Sequence, residues 1–495
     1  MNSGQTGGPR SGTVQVRIDI QGDGPLLVWL RKDLRLADNP ALEAALATGR
    51  AVVPVYILDE TPGIRPMGGA SLWWLDKSLQ ALSADIAARD GQLILRRGRA
   101  AAVLDDLIAQ TGATGVVWNR LYDKATTDRD AKIKADLKAR GLACESFNAG
   151  LLNEPWTVKN GSGEGYKVFT PYWRAAREHI ADLHVTQAPA ALPAPLNPPA
   201  SDRLADWGLH PSKPDWSGGF SLWTPGEAGA AERLQQFLAG KVLNYADQRD
   251  IPGVEVTSRL SPHLHFGEIG PRQVWAATRA AIAAGQVPAA QGDKFLSEIG
   301  WREFNHSILF HRPDITTANF RPEFDAFPWN RDDAAFTAWT RGQTGYPIVD
   351  AGMRELWTTG FMHNRVRMIV ASFLVKHLLI DWRDGEAWFW DTLVDADLPN
   401  NVGNWQWTAG SGADAAPYFR IFNPITQGEK FDPRGVYVRR WVPELASLPD
   451  AVIHKPWTAP THLSITAKRI YARPIVDHAF ARERALAAYQ SLKGG

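Results

Sequence analysis

The chain has 495 residues, of which 44% are hydrophobic and 22% are charged. These proportions are typical of a globular protein with apolar material for more than one core, and they exclude a disordered or fibrous chain. Lys and Arg number 54 against 53 for Asp and Glu, a formal net charge of +1. This balance tells against a binder coated in positive charge, but it allows a nucleic-acid binder with one basic face.

The cysteine content and the absence of long apolar runs indicate the compartment. A single cysteine, Cys144, excludes an internal disulfide and a cysteine-based metal cluster, and it is typical of a reducing cytosol. Residues 1–24 are rich in Gly, Ser and Gln, and we expect a disordered tail there rather than a signal peptide. The apolar run 368–380 is interrupted by Lys376 and His377 and is too short to cross a bilayer. We therefore expect a cytoplasmic monomer with no membrane contact and no metal site.

Strand and helix patterns alternate in the first part of the chain. Leu26–Leu30 is a short apolar strand, and Asn39 followed by Pro40 marks the start of a helix. Continuous apolar strands alternating with helices predict a parallel sheet covered on both faces, a doubly wound, Rossmann-like α/β domain over 25–150. No GxGxxG follows the first strand, so a nicotinamide site is not predicted there. Further strands are expected at 51–58, 92–95, 115–118 and 143–147, and further helices at 71–89, 101–111 and 126–140.

The composition changes after the α/β domain. Seven prolines lie between residues 189 and 214 in a stretch with little periodicity, so we expect residues 151–220 to form an interdomain linker. Helical periodicity dominates from Glu227 onward, which predicts a second, mainly α-helical domain over 221–495. Its clearest helical patterns are 293–310, 351–380 and 386–395.

Four residues on one predicted helix face indicate a pocket. Glu298, Trp301, Arg302 and Asn305 are spaced three or four apart and therefore share one face. A carboxylate, an indole, a guanidinium and an amide pack poorly in a core, but they suit a pocket for something flat with polar edges. A solvated helix face is the alternative, and the indole makes it the weaker one.

Two other segments are dense in polar groups. In 257–262, small hydroxyl side chains lie beside Arg259 at a predicted helix start, which suits a phosphate or, alternatively, a capped helix without a ligand. Residues 395–407 hold two carboxylates, four amides and two indoles, which is hard to explain as packing. The chain also has 21 Trp; these indicate either a Trp-rich core or rings that stack on bases or a flat cofactor, or that carry electrons.

Several blocks, in a fixed order, resemble the photolyase and cryptochrome family, and together they span nearly the whole chain after residue 25. The resemblance implies an N-terminal α/β antenna domain and a C-terminal helical domain that binds FAD in a U-shaped conformation. It also implies a light-driven enzyme that repairs pyrimidine dimers in DNA. The blocks are Trp29–Arg35, Thr257–Pro262, Trp301–Phe304, Met362–Met368, Asp381–Arg383, Asn401–Trp407 and Ala415–Pro424.

Single residues refine the resemblance. Asn401 would face flavin N5, and asparagine there resembles DNA photolyases, whereas plant cryptochromes carry aspartate and insect ones cysteine. Asn364 and Met368 match photolyases for cyclobutane pyrimidine dimers, and the histidine pair of (6-4) photolyases is missing. The segment 388–397 is closer to class III than to class I. The alternative is a cryptochrome-type blue-light receptor without repair activity.

The resemblance implies a role for each of the following residues. The lesion pocket and catalysis would involve Glu298, Trp301, Asn364, Met368, Asn401 and Trp407. The FAD site would be formed by Tyr245, Thr257, Ser258, Arg259, Leu260, Ser261, Arg367, Asp395, Asp397 and Asn401. Electrons would reach the flavin through Trp405, Trp382 and Trp329, with Trp388 and Trp390 as a branch. DNA would be contacted by Arg302, Asn305, Arg365 and Arg420.

The implied partners are damaged DNA and a second chromophore. A pyrimidine dimer stacks and pairs poorly, so its extrusion from the duplex should cost little. The segment Gly68–Leu75 resembles the antenna side of the first domain. For the antenna chromophore, methenyltetrahydrofolate is the first choice and 8-hydroxy-deazaflavin the second.

Overall fold

The computed structural model describes residues 18–180, 183–415, 419–460, 471 and 473–492. Most of the predicted disordered tail lies outside this range, as do residues 416–418 of the Ala415–Pro424 block. The described residues form an α/β domain followed by a helix-rich domain, which confirms the predicted fold class. In this part of the chain every helix is too short or too polar to span a bilayer.

Five parallel strands form the sheet of the first domain, in the order β3-β2-β1-β4-β5. Leu26 of the central strand β1 pairs with Val52 on one side and with Gly115 on the other. All five residues of β1 are buried, as expected for a strand covered by helices on both faces. The strands are β1 Leu26–Leu30, β2 Val52–Asp59, β3 Ile94–Gly98, β4 Gly115–Asn119 and β5 Ala143–Phe147, and the helices between them are α1 Pro40–Leu46, α2 Gly69–Ala87, α3 Ala100–Thr111 and α4 Lys124–Ala139.

The strand order reverses between β1 and β4, where doubly wound sheets usually bind a ligand outside the carboxyl ends of the strands. Here a buried polar network occupies that edge. Arg31 Nη1 lies 2.6 Å from Asp130 Oδ2, and Asn119 Nδ2 donates to Asp33 Oδ2 at 2.6 Å. Beside this network, against the helical domain, lies a cavity of about 60 Å³.

Residues 151–220 are more ordered than a linker. Helix α5, Phe169–Glu178, buries Tyr172 and Trp173 in the core of the helical domain. Further along, Trp207 and Phe220 pack in the core of the α/β domain. The segment therefore attaches to both domains. The sequence prediction missed α5 because this helix is short and the prolines at 189–214 led us to expect a linker over the whole segment.

The helical pattern over 351–380 is divided into two helices. The first helix ends where Gly360 adopts φ +67°, a left-handed conformation that stops a helix. The next begins at Asn364, with His363 Nδ1 accepting the Arg365 N–H at 3.2 Å as its cap. The helices of this domain are α6 Glu227–Ala239, α7 Tyr245–Gln248, α8 Ser261–Phe266, α9 Pro271–Ala283, α10 Ala289–His311, α11 Asp333–Thr340, α12 Pro347–Thr359, α13 Asn364–Ser372, α14 Trp382–Thr392, α15 Leu398–Ala409, α16 Pro424–Phe431, α17 Val436–Trp441 and α18 His478–Ser491, and a π-helical turn, Phe373–His377, continues α13.

Candidate active site

A cavity of about 510 Å³ lies in the helical domain, between α8, α10, α13 and α15. Its size falls within the range of small-molecule and cofactor sites. All the residues predicted for catalysis and for cofactor binding line this one cavity. It is also lined by Arg302, Asn305, Arg365 and Trp405, whereas Trp329, Trp382 and Arg420 lie outside it.

One end of the cavity is formed by the hydroxyl-rich segment that precedes α8. Arg259 adopts φ +52°, a left-handed conformation that is uncommon for a residue other than glycine. The helix begins at Ser261, as predicted, and Ser261 Oγ donates to Asp395 Oδ2 at 2.5 Å. Thr257, Ser258 and Arg259 all line the cavity, so this end offers hydroxyl and guanidinium donors that suit phosphate oxygens.

A second group of charged residues lies where α13 approaches the start of α15. Arg367 Nη2 lies 3.0 and 2.8 Å from the two carboxylate oxygens of Asp395, and Arg367 Nε donates to the Met362 carbonyl at 2.7 Å. Asp397 lies between His265 and His306, at 3.5 and 3.3 Å. Burial lowers the pKa of His265 to about 4, so this imidazole is neutral at pH 7.

The wall on α10 is built around Trp301. Its ring stacks on Phe169 of α5, with ring centroids 3.8 Å apart and planes 8° from parallel. One face of the indole is thus covered by protein, and Trp301 also lines the cavity. One turn earlier, Glu298 Oε1 lies 2.8 Å from Arg249 Nη1 and 3.1 Å from Lys294 Nζ. Two cations therefore face the same carboxylate oxygen of Glu298.

The remaining residues predicted for the lesion pocket come from α13 and α15. Asn364 is exposed and Met368 half-buried, and both line the cavity. Trp407 Nε1 donates to the Asp414 carbonyl at 3.1 Å, which fixes the plane of its indole. Asn401 Nδ2 donates to Glu386, both to the main-chain oxygen at 3.0 Å and to Oε1 at 2.8 Å.

Two residues predicted to contact DNA are turned inward instead. Arg302 Nη1 donates to the Gly150 carbonyl at 2.7 Å, and the Arg302 side chain is only 14% exposed. Asn305 is buried, and its Nδ2 donates to Asn400 Oδ1 at 2.9 Å. The predicted helix face is correct, but α10 lies between the cavity and the α/β domain, so these polar groups bind protein partners rather than facing solvent.

The other two residues predicted to contact DNA lie nearer the surface. Arg365 Nη2 lies 2.8 Å from Asp250 Oδ2, and the guanidinium sits over the Phe431 ring. Arg420 is exposed, and its main-chain carbonyl accepts a hydrogen bond from the buried amine of Lys376. Burial lowers the pKa of Lys376 to about 7.

Of the three predicted electron-transfer tryptophans, Trp405 lines the cavity, whereas Trp382 and Trp329 lie outside it. Trp405 lines the cavity and packs edge-on against Phe389, with centroids 5.0 Å apart. Trp382 is fully buried, and its Nε1 donates to Asn319 Oδ1 at 2.9 Å. Trp329 is half-buried. Of the suggested branch, Trp388 stacks on Trp357, which is 55% exposed, and Trp390 Nε1 donates to the Pro66 carbonyl at 2.8 Å.

Two residues in contact with the site were missed by the sequence reasoning. Arg249 pairs with Glu298 and lies one turn after Tyr245, so the same helical spacing that linked Glu298 to Trp301 could have found it. Glu386, the partner of Asn401, is fifteen residues away on another helix. No local pattern connects them, because their contact exists only where α14 packs against α15.

The fold and the cavity define a two-domain protein whose helical domain encloses a large site with phosphate-binding groups at one end and charged and amide groups at the other. Residues 26–195 match the DNA photolyase family model, and residues 295–491 match the model of the FAD binding domain of DNA photolyase. The chain belongs to the DNA photolyase family.

Individual relatives agree with this assignment. The deoxyribodipyrimidine photo-lyase of Agrobacterium fabrum is 52% identical over 95% of this chain and 98% of its own length. The crystal structure of a bacterial class III photolyase from Agrobacterium tumefaciens has a TM-score of 0.93 at 51% identity, covering 96% of this chain and 99% of that one. Cryptochrome-2 of Arabidopsis thaliana is 41% identical over 93% of this chain and 78% of its own length. These similarities favour class III over class I.

Proposed function

We propose that this chain is a light-driven deoxyribodipyrimidine photo-lyase, which splits cyclobutane pyrimidine dimers in DNA with an electron from photoexcited, reduced FAD. The observation that carries this proposal is the single cavity of about 510 Å³, which is lined both by the residues expected to bind FAD and by those expected to bind the lesion. The 52% identity to a deoxyribodipyrimidine photo-lyase supports it.

The residues of the cavity fit FAD. Thr257, Ser258 and Arg259 offer donors for the diphosphate, beside Tyr245, Leu260 and Ser261. Arg367 with Asp395, together with Asp397 and Asn401, offers the mixed donors and acceptors that the polar edge of a flavin ring requires. When bound and reduced, FAD supplies the light-excited electron donor. The protein orients both ligands and excludes water from the space between them.

The lesion would lie against Trp301 and Trp407. Trp301 is supported from behind by Phe169, so its orientation is set before the dimer arrives. Glu298, paired with Arg249, would accept a hydrogen bond from a pyrimidine N–H. Met368 and Asn364 line the floor of this subsite.

The duplex would be positioned by its phosphates. Arg365 and Arg420 lie nearer the surface than the inward-facing Arg302 and Asn305, and we assign the phosphate contacts to the first pair. Arg302 and Asn305 instead hold α10 in place. Electrons that reduce the flavin would pass from Trp329 through Trp382 to Trp405, from the surface to the cavity.

A second chromophore would serve as the antenna, with methenyltetrahydrofolate preferred to 8-hydroxy-deazaflavin. Trp73 and Trp74 of the Gly68–Leu75 segment are buried, and Trp74 Nε1 donates to Glu268 Oε1 at 2.9 Å, so they pack the domain interior. Chromophore released from the purified protein by acid or heat, identified by mass and fluorescence, tests this preference.

The repair activity is tested with an oligonucleotide that carries one thymine cyclobutane dimer. Protein with reduced flavin is illuminated in the near-ultraviolet and blue, with a dark sample alongside, and intact thymines are quantified. We expect light-dependent recovery, strongly impaired by Glu298→Ala and by Trp301→Ala. The matched control is Glu429→Gln, which alters an exposed carboxylate paired with Lys455.

Two results would decide against repair. If the flavin binds and is photoreduced but no dimer is split, the proposed activity is wrong, and the blue-light receptor becomes the better interpretation, in line with the similarity to cryptochrome-2. If a (6-4) photoproduct is repaired instead, the assignment of Asn364 and Met368 to a cyclobutane-dimer pocket is wrong.

A further inference from the structure

The orientation of the Asn401 amide is set by Glu386. Asn401 Nδ2 donates both of its hydrogens, one to the main-chain oxygen of Glu386 at 3.0 Å and one to Oε1 at 2.8 Å. Both partners are acceptors, so the nitrogen must face Glu386 and the amide oxygen must face away from it. Because Asn401 lines the cavity, Glu386 makes this side chain an acceptor toward whatever the cavity holds.

The charge on Glu386 is balanced from the other domain. The Glu386 side chain is 7% exposed, and a buried carboxylate is unfavourable unless it is paired. Arg65, in the loop between β2 and α2, supplies the partner through two parallel hydrogen bonds, Nη1 to Oε1 at 2.8 Å and Nη2 to Oε2 at 3.0 Å. This two-pronged geometry is the most specific that an arginine and a carboxylate can form.

The loop that carries Arg65 packs closely against α14. The Arg65 guanidinium lies 4.2 Å from the centre of the Trp390 ring, and Trp390 Nε1 donates to the Pro66 carbonyl at 2.8 Å. Gly69 N donates to Asp391 Oδ1 at 2.8 Å. At Gly68 the approach is so close that a Cβ would lie 2.2 Å from the Trp390 carbonyl oxygen. Arg65 is therefore held where it reaches Glu386.

We infer that Arg65 and Glu386 are positioning residues that together fix the amide of Asn401 toward the flavin, so that the redox stability of the flavin depends on how the α/β domain is docked. This inference rests on the proposed function, because the flavin-facing role of Asn401 belongs to it. The coupling runs through two consecutive links, the first between Asn401 and Glu386 and the second between Glu386 and Arg65, and every hydrogen bond in them is 3.0 Å or shorter.

Replacing Glu386 by glutamine tests the first link. Glutamine keeps the size of the side chain, but its amide can donate as well as accept, so only the main-chain oxygen of residue 386 still requires the Asn401 nitrogen to face it. Arg65→Ala tests the second link and leaves every residue that lines the cavity in place. The matched controls are Glu444→Gln and Arg354→Ala, which alter a half-buried ion pair of 2.7 Å between residues outside the cavity.

The measurement is made on the full-length protein with bound flavin and no DNA. The flavin is reduced anaerobically, and its reoxidation in air is followed by visible absorbance, with flavin content and thermal unfolding recorded beside it. We expect Glu386→Gln and Arg65→Ala to change the reoxidation rate about three- to tenfold, the effect of one hydrogen bond, while both controls match the wild type.

A double-mutant cycle separates positioning from a general structural effect. In an Asn401→Ala background, Glu386→Gln should have no further effect on the rate, because its action passes through the missing amide. An unchanged rate in both Glu386→Gln and Arg65→Ala, or an undiminished effect of Glu386→Gln in the Asn401→Ala background, would overturn the inference. If the Glu386→Gln variant loses its flavin, the reoxidation rate of Arg65→Ala alone tests the inference. Dimer repair is measured separately. If the variants change the reoxidation rate as expected but the wild type splits no dimer, only the proposed function is refuted.

Discussion

Arg249 Nη1 lies 2.8 Å from Glu298 Oε1 in the wall of the cavity, and both side chains are largely buried. The guanidinium fixes the direction in which the other carboxylate oxygen of Glu298 can accept a hydrogen bond. If Glu298 recognises the lesion as proposed, Arg249 is expected to support that recognition, although Arg249 itself was not among the residues predicted from the sequence.

Arg249→Met should therefore reduce the preference for damaged DNA. With one charge-assisted hydrogen bond lost, we expect the ratio of affinities for dimer-containing and undamaged oligonucleotides to fall about tenfold. The ratio is measured by titration in the dark. Arg279→Met, which alters an exposed pair with Asp293, is the control for loss of positive charge. An equal fall in both variants would show that Arg249 acts only through net charge.

The pair between Arg367 and Asp395 should contribute strongly to stability. The Asp395 side chain is 3% exposed, so removing its partner leaves a buried charge uncompensated. We expect Arg367→Met to lower the free energy of unfolding by about 3 kcal/mol, and Arg367→Met combined with Asp395→Asn to recover part of that loss. Urea unfolding without added FAD measures both. Arg97→Met, in an exposed pair with Glu60, should stay within about 0.5 kcal/mol of the wild type.

Trp382→Phe should block photoreduction without blocking repair. Trp382 is buried and keeps its indole orientation through Asn319, and phenylalanine keeps an aromatic ring at this position but is far harder to oxidise. We expect photoreduction of the oxidised flavin to fall to a small fraction of the wild-type rate, while chemically reduced protein repairs dimers normally. Trp441→Phe is the control, since Trp441 is half-buried and outside the proposed chain. Normal photoreduction in Trp382→Phe would remove this residue from the electron path.

His363 should make stability depend on pH. Burial lowers its pKa from 6.5 to about 4, so between these values the unfolded chain binds a proton here and the folded chain does not. The contribution of neutral His363 to the free energy of unfolding is therefore fully present above pH 6.5, and it is lost as the pH falls toward 4. Relative to His363→Asn, which retains an acceptor for the Arg365 N–H, the wild type should lose about 1.4 kcal/mol per pH unit in that window.

Unfolding free energies at pH 7.5, 6.0 and 5.0 check this difference. Other buried groups titrate in the same range, and Glu303, whose pKa burial raises to about 7, acts in the opposite direction. The comparison with His363→Asn cancels these shared contributions. A difference between the two proteins that does not change with pH would contradict the assignment of a low pKa to His363.

Local patterns predicted the elements of the α/β domain well. The strands Leu26–Leu30 and Ala143–Phe147 have the predicted bounds. The first is a buried parallel strand, which forms a continuous apolar run. The bounds of the helices in the second domain were harder to predict. Residues 351–380 carry apolar spacing throughout, and only the left-handed conformation at Gly360 divides them into two helices.

The chemistry of the cavity could also be predicted in part from the sequence. Residues such as Glu298, Trp301 and Asn401 stood out because their polar and aromatic groups make a poor core, and all of them line the cavity. Their partners did not stand out. Arg302 shares the helix face of Trp301, yet its direction toward Gly150 depends on which domain packs against that turn.

The sequence by itself determined the two-domain order, the parallel sheet and the set of residue types that meet in the cavity, because periodicity and local composition follow from which faces must be buried. Only the tertiary structure decided how those residues are held: Glu298 by Arg249, Asp395 by Arg367, and Asn401 by Glu386 with Arg65. Most of these pairs join residues far apart in the chain. Burial there makes an unpaired charge costly, so packing selects partners that no local pattern records.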